Sequence, residues 1–107
     1  MELKEKRCRP CEGGIPPLEK EEIEQYQKQL KNEWEVVDRK KIRQTYSFKD
    51  FKEALNFANK VGEIAEEEQH HPDLHVYYGK VVIELATHAI GGLSENDFIL
   101  AAKIENI

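Results

Sequence analysis

Residues 70–88 read HHPDLHVYYGKVVIELATH, and this stretch decides the fold. From Leu74 onward, apolar and polar residues alternate with the two-residue period of a β-strand that buries one face. Gly79-Lys80 interrupts the alternation and is predicted to be the two-residue turn of a hairpin. One face of this hairpin is predicted to carry its apolar and aromatic side chains, namely Leu74, Val76, Tyr78, Val81, Ile83 and Leu85.

A turn at this position also places the histidines. All four histidines of the chain lie in residues 70–88. The predicted pairing sets His71 opposite His88, with His70 beside it, because the open ends of a hairpin return to the same rim of the sheet. His75 points away from the apolar face and is predicted to be an ordinary surface residue. The sequence therefore predicts three imidazoles at one rim.

A helix is predicted on each side of this hairpin. The segment 49–69 repeats apolar residues at helical spacing against lysine and glutamate, and Pro72 is predicted to stop it. After the hairpin, Ser94 is predicted to be the N-cap of the last helix. Asp97 follows three residues later, which is a capping-box arrangement with Asp in place of Glu.

The rest of the pattern gives the fold class. Residues 18–30 are predicted to form the first helix, and residues 34–48 a hairpin that turns near positions 38–41. The order is then α-β-β-α-β-β-α, which predicts an α+β protein with a four-stranded antiparallel sheet and three helices packed on one face. Such a sheet has edges to protect, so we expect self-association.

Length and charge exclude several classes of protein. A chain of 107 residues fits a single domain, 1–107, in which residues 1–18 are predicted to be an irregular arm because of their glycines and prolines. The net charge is −5, and basic residues alternate with acidic ones, so direct nucleic-acid binding is not expected. No apolar run or signal peptide is found, which predicts a cytoplasmic protein without membrane contact.

The only two cysteines, Cys8 and Cys11, form a CxxC motif in this arm. A redox pair would need a strand before it and a helix after it, and neither pattern is present. A loop with two thiols is therefore favoured. A zinc site that borrows two histidines stays open, although nothing in the spacing predicts a metal.

The histidine cluster indicates general acid–base chemistry. His70, His71 and His88 have no serine or cysteine nucleophile beside them and no acidic cluster suited to a hard cation, and metal binding is the rival use of the same residues. Glu66 lies four residues before His70 on the predicted helix, so we expect it to orient His70.

These residues also carry a family resemblance, which covers most of the chain from Trp34 to Glu105. The chain resembles the pterin-4a-carbinolamine dehydratases, some of which also serve as dimerisation cofactors of a homeodomain transcription factor. The resemblance rests on Glu66, His70-His71-Pro72, Tyr78, Thr87-His88, Gly92-Leu93-Ser94 and Asp97.

The resemblance implies a four-stranded sheet with three helices on one face, in homodimers that join edge to edge or in homotetramers. It implies dehydration of 4a-hydroxytetrahydrobiopterin to quinonoid dihydropterin, which recycles the cofactor of aromatic amino acid hydroxylases. The reaction itself requires no cofactor and no metal. The alternative function is a non-catalytic binding or regulatory module, either transcriptional coactivator-like or molybdopterin-related; the intact histidine set favours the enzyme.

The resemblance also implies roles for single residues. His70 and His88 match the acids for the departing hydroxyl, and His71 matches the histidine that holds the pterin. Asp97 falls on a family position, although capping the last helix explains it equally well. Tyr78, like Trp34, is expected to pack. Leu74 and Gln69 replace an aromatic and an acidic residue of animal members.

Overall fold

The structure is a computed structural model that describes residues 2–9 and 13–107. Within these residues it has three α-helices and four β-strands, which confirms the predicted α+β class. No helix in the described part of the chain combines the length and apolar content needed to span a bilayer. The elements are α1 (Lys20–Gln27), β1 (Glu35–Val37), β2 (Lys41–Ser47), α2 (Phe51–Glu68), β3 (Asp73–Tyr77), β4 (Lys80–Leu85) and α3 (Glu95–Glu105), with 3-10 turns at Leu3–Glu5 and His88–Ile90.

The sheet places the second hairpin in its centre and at one edge. Its strand order is β1-β2-β4-β3, with antiparallel neighbours throughout. The inward residues Val81, Ile83 and Leu85 of β4 are fully buried. Helix α2 packs on this face, and α3 packs against α2 and contributes to the same core. A sheet with one apolar face must bury that face against another layer.

The turn of the second hairpin lies one residue earlier than predicted. Val76 pairs with Val81 and Tyr77 with Lys80, so Tyr78-Gly79 forms the turn. The predicted pairing of His71 with His88 is therefore wrong. A two-residue shift in pairing leaves the same residues facing inward, so alternation alone could not distinguish the two registers.

Tyr78 consequently does not pack in the core. Its side chain is 72% exposed, and it lies at the turn, at the opposite end of β3 and β4 from the histidines. Trp34 does pack as expected: it is buried, and its indole N–H donates to Glu105.

Helix α2 ends before the point where Pro72 was predicted to stop it. Its N-cap Asp50 accepts from the backbone N–H of Glu53, and its last helical residue is Glu68. Gln69 takes a left-handed conformation (φ 53°), and the His70 N–H donates to the Ala65 carbonyl at 3.2 Å. This Schellman-type cap turns the chain sharply, so His70 leaves the face that the helix would have presented.

A charged network joins three strands on the outer face of the sheet. Glu84 on β4 accepts from Arg43 at 2.8 Å, from Lys41 at 3.1 Å and from His75 at 3.2 Å. These donors, Arg43 foremost, lower the pKa of Glu84 to about 2. His75 is therefore a satisfied surface residue of the outer face, as predicted.

Glu84→Gln is expected to destabilise the fold by about 1 kcal/mol at pH 7, because the ion-pair network loses its only shared anion. The folded-state pKa is below the ordinary value of 4.5, so this contribution is present above pH 4.5 and declines as the pH falls toward 2. Urea unfolding of the wild type and the variant between pH 2 and 7 measures this contribution to the free energy of unfolding. Glu35→Gln, which removes one exposed ion pair to Arg43, is the control and should change stability little. Equal effects of the two variants would contradict the network.

Candidate active site

The buried carboxylate of Asp97 is the centre of the site. Asp97 lies in the first turn of α3 and has no exposed surface. Its Oδ2 accepts from the Ser94 N–H at 3.0 Å, which is the predicted capping role, and from the Thr87 hydroxyl at 2.8 Å. Its Oδ1 lies 2.6 Å from Nε2 of His70. Asp97 therefore both caps the helix and holds a histidine.

This contact fixes the tautomer of His70. An ionised carboxylate only accepts hydrogen bonds, so Nε2 of His70 carries the proton that Asp97 receives. Nδ1 is then the nitrogen left to exchange a proton with a bound molecule. The side chain of His70 is 11% exposed, so the ring is held with restricted access to solvent.

Thr87 joins this contact to the end of β4. Its hydroxyl proton goes to Asp97, so the Ser94 hydroxyl must be the donor in the 2.8 Å contact between the two hydroxyls. The Thr87 N–H donates to the Gly92 carbonyl, which closes the loop that carries His88. Sequence reasoning gave Thr87 no role; its position next to His88, ten residues before a buried capping Asp, was the available signal.

Glu66 contacts a different histidine from the one predicted. Its carboxylate accepts from Nε2 of His71 at 2.5 Å, whereas His70 is held by Asp97. The prediction assumed that the helix continued through His70, but the left-handed Gln69 ends the four-residue periodicity first. Both members of the Glu66–His71 pair are more than half exposed.

His88 lies on the other side of Thr87. It is exposed and begins the 3-10 turn that follows β4. It lines a cleft of about 360 Å³ together with Lys40, Lys41, Thr87 and Gly92. His70 and His71 are not among the residues that line this cleft. Thr87, the residue before His88, donates to the same Asp97 carboxylate that His70 contacts. The grouping of the three imidazoles at one rim stays a prediction.

Of the two cysteines in the motif, the structure describes Cys8. The Cys8 thiol donates to the Asn96 carbonyl, and burial, followed by the nearby Glu68 carboxylate, raises its pKa to about 12. A thiol held protonated is a poor nucleophile, which disfavours the redox interpretation. Cys11 lies outside the described residues. Across residues 2–9 and 13–107, no group of three or more His, Cys, Asp or Glu is placed to hold a metal ion.

Thr87→Val is expected to destabilise the protein by about 1–3 kcal/mol, because it removes a donor from a carboxylate that has no access to water. Thr45→Val is the matched control: Thr45 is exposed on β2, and its hydroxyl makes no hydrogen bond to any residue that the structure describes. Denaturant unfolding of the two variants gives the comparison. If both variants were as stable as the wild type, the Thr87 hydroxyl would not support Asp97.

Comparisons with known proteins show the family of the chain and agree with the fold. The family model described as "Pterin 4 alpha carbinolamine dehydratase" matches residues 16–107. A "Putative pterin-4-alpha-carbinolamine dehydratase" of Rickettsia canadensis is 54% identical, over 97% of this chain and 95% of the relative. A protein of the same name from Rubrobacter xylanophilus is 50% identical, over 99% and 98%.

A solved structure gives the same result for the fold. The crystal structure of a transcriptional coactivator/pterin dehydratase from Brucella melitensis superimposes with a TM-score of 0.77 at 33% identity. The superposition covers 84% of this chain and 96% of that one.

Proposed function

The chain belongs to the pterin-4a-carbinolamine dehydratase family, and we propose that it is a hydro-lyase that removes water from a pterin-4a-carbinolamine by histidine acid–base catalysis. The names of relatives about 50% identical over nearly the whole chain support the reaction class. The resemblance further supports 4a-hydroxytetrahydrobiopterin as the substrate and the recycling of a hydroxylase cofactor as the purpose.

The hydrogen bond between His70 and Asp97 is the observation that carries the mechanism. A buried carboxylate that holds one ring nitrogen fixes the tautomer and orientation of the imidazole, which is how orienting groups support histidine in acid–base catalysis. Because the orientation of the ring is fixed, the position of Nδ1 of His70 is fixed as well. His75 also contacts a carboxylate through Nε2, that of Glu84, but the distance is 3.2 Å and the ring is 48% exposed on the outer face of the sheet.

The reaction needs one proton transfer to the substrate and one proton transfer from it. The C4a–O bond breaks with its electron pair on oxygen, so the departing hydroxyl must gain a proton to leave as water. As the N5 lone pair forms the C4a=N5 bond of the quinonoid dihydropterin, the proton on N5 must be removed. Imidazole suits both transfers, because its ordinary pKa lies near neutrality.

Each of the other two histidines has a proposed share in this scheme. His88 is the second proton-transfer group, because it is exposed to a cleft and lies directly after Thr87, whose hydroxyl touches the same carboxylate as His70. One of the two rings, as imidazolium, gives its proton to the departing hydroxyl, and the other, as neutral imidazole, accepts the proton from N5. His71 holds the pterin, with Glu66 fixing its ring through Nε2. Tyr78, at the far end of the hairpin, has no role in this site within a single chain.

His70→Ala and His88→Ala are each expected to lower kcat by about 10²–10⁴-fold, which is the range that positioned acids and bases contribute. His71→Ala should mainly raise KM, because a group that binds substrate and transition state alike changes KM. Stopped-flow measurement of quinonoid dihydropterin formation from a synthetic carbinolamine gives both parameters.

His75→Ala is the matched control, because it removes an imidazole from the same hairpin but from the outer face of the sheet. It should leave kcat and KM unchanged. The mechanism is wrong if His70→Ala and His88→Ala are as fast as His75→Ala. The enzyme assignment is wrong if the wild type is no faster than buffer.

We also propose that the chain forms homo-oligomers through α2 and the free edge of β3. Leu55 on α2 is 41% exposed and lines an open groove of about 930 Å³ with Gly62, Leu74 and Val76. In the described sheet, β3 pairs only with β4, so its other edge presents unpaired backbone groups. The groove is also lined by Glu63, Glu66 and Glu67, so its apolar side chains lie among charged ones. Exposed apolar side chains beside an open strand edge favour association.

Leu55→Glu is expected to shift the protein toward monomer, because it replaces an exposed apolar side chain of the groove by a further carboxylate. Sedimentation equilibrium measures the change. Ile107→Glu is the control, since Ile107 is similarly exposed, at 45%, but lies at the C-terminus. A wild type that is monomeric at micromolar concentration, or a Leu55→Glu variant that assembles as the wild type does, would contradict this surface.

A non-catalytic binding module is the second candidate function. The description of the Brucella melitensis structure, which pairs transcriptional coactivator with pterin dehydratase, favours it. A wild type that failed to accelerate the dehydration while remaining folded and oligomeric would support this candidate over the enzyme.

A further inference from the structure

An N-terminal arm, residues 2–9 and 13–18, contacts the end of α2, α3 and the loop after β4, next to the candidate active site. Leu3 is buried in the core, and Lys103 on α3 donates to the Lys4 carbonyl at 2.9 Å. The family model begins only at residue 16, but the alignments with the relatives cover 104 and 106 residues and so extend into the arm. Nothing in the proposed mechanism uses this segment.

The first anchor of the arm is Glu68, two residues before His70. Its side chain is only 3% exposed, yet it is charged and must be satisfied by donors. It accepts from the Cys8 N–H at 2.8 Å, from Arg7 at 3.2 Å, and lies 3.7 Å from the ammonium of Lys103. Glu68 thus ties the end of α2 to the arm and to α3.

The second anchor is Asn96, the residue directly before Asp97. Its side-chain carbonyl accepts from the Arg9 N–H at 2.9 Å, and its amide donates to the Arg9 carbonyl at 2.6 Å. This pair of reciprocal hydrogen bonds resembles a hydrogen-bonded residue pair in an antiparallel sheet. Each anchor therefore lies beside one member of the His70–Asp97 pair.

The arm also reaches the loop that carries His88. Gly13 has a left-handed φ of +82°, and a Cβ there would lie 3.2 Å from the carbonyl oxygen of Ala89. Further along, the Leu18 N–H donates to the Leu93 carbonyl at 2.8 Å. The described parts of the arm thus contact all three segments that supply the site.

We propose that Glu68 and Asn96 are positioning residues. Both bind the arm, which acts as a strap that holds the end of α2 against the start of α3. This strap sets the contact between His70 and Asp97. The proposal rests on the proposed function for its catalytic meaning. The physical reason is that His70 lies beyond the capped end of α2. Within the described residues it is held by the bond from its N–H to the Ala65 carbonyl and by the contact of its ring with Asp97. Displacements of about 1 Å at such a position can cost 10²-fold in rate.

The test uses Glu68→Ala and Asn96→Ala in the full chain, each removing one anchor. The ring nitrogen chemical shifts of His70, measured by ¹⁵N NMR, should change from a single Nε2–H tautomer toward a mixture. We expect kcat to fall about tenfold or more, with KM changing less than twofold, and the pH profile of kcat to move. Glu68→Gln keeps an acceptor for the Cys8 N–H and should recover part of the loss.

Glu105→Ala is the matched control. Glu105, at the C-terminal end of α3, binds the segment between α1 and β1. Its carboxylate accepts from the N–H groups of Lys31 and Asn32 at 2.8 and 2.7 Å. It should lower the unfolding temperature without changing the His70 spectrum or kcat. If the two anchor variants behaved like Glu105→Ala, changing stability alone, the arm would be structural and the proposal wrong.

The NMR measurement also separates this proposal from the proposed function. An inactive wild type in which both anchor variants still disturb the His70 tautomer would refute the dehydratase assignment and support the strap. An active wild type with an undisturbed His70 tautomer in both variants would support the dehydratase assignment and refute the strap.

Discussion

The carboxylate of Asp97 is the constraint on which the site depends, because a charged group without access to water must find donors for both oxygens inside the protein. The donors come from three places in the chain: the N–H of Ser94 at the start of α3, the hydroxyl of Thr87 after β4, and the ring of His70 after α2. Satisfying one buried charge therefore draws together the ends of three elements. An oriented histidine at the rim of the sheet is the consequence.

The rest of the fold supplies a rigid support for that rim. The inner face of β4 packs against α2 and is buried in the core to which α3 also contributes. The outer face is held by the ion pairs of Glu84 with residues of β2 and by its contact with His75 of β3. Between these two layers the hairpin cannot easily change its register. The reactive side chains lie beyond the ends of the regular elements, where loops carried by a rigid scaffold commonly hold function.

The sequence predicted the elements well because periodicity reports which side of each element is buried. It did not predict the register of the second hairpin, since a shift by two residues leaves the inward face unchanged and moves Tyr78 into the turn. It paired Glu66 with His70 because nothing local showed that Gln69 would adopt a left-handed conformation. From the residues alone Asp97 was predicted to cap the last helix, and only the family resemblance implied a further role. The second partner of that carboxylate is 27 residues away and becomes a neighbour only after folding. The roles of the histidines came from family resemblance and remain predictions.

A crystal structure with an unreactive tetrahydropterin, which lacks the 4a-hydroxyl, would test the account most directly. The account predicts that the bound ring presents C4a toward Nδ1 of His70, with room for a hydroxyl about 3 Å from that nitrogen, while Nε2 stays on Asp97. His88 should face the same bound ring from the far side of Thr87. A pterin bound away from His70, or a His70 ring that leaves Asp97 when the pterin binds, would contradict the claim that the buried carboxylate aims this histidine at the substrate.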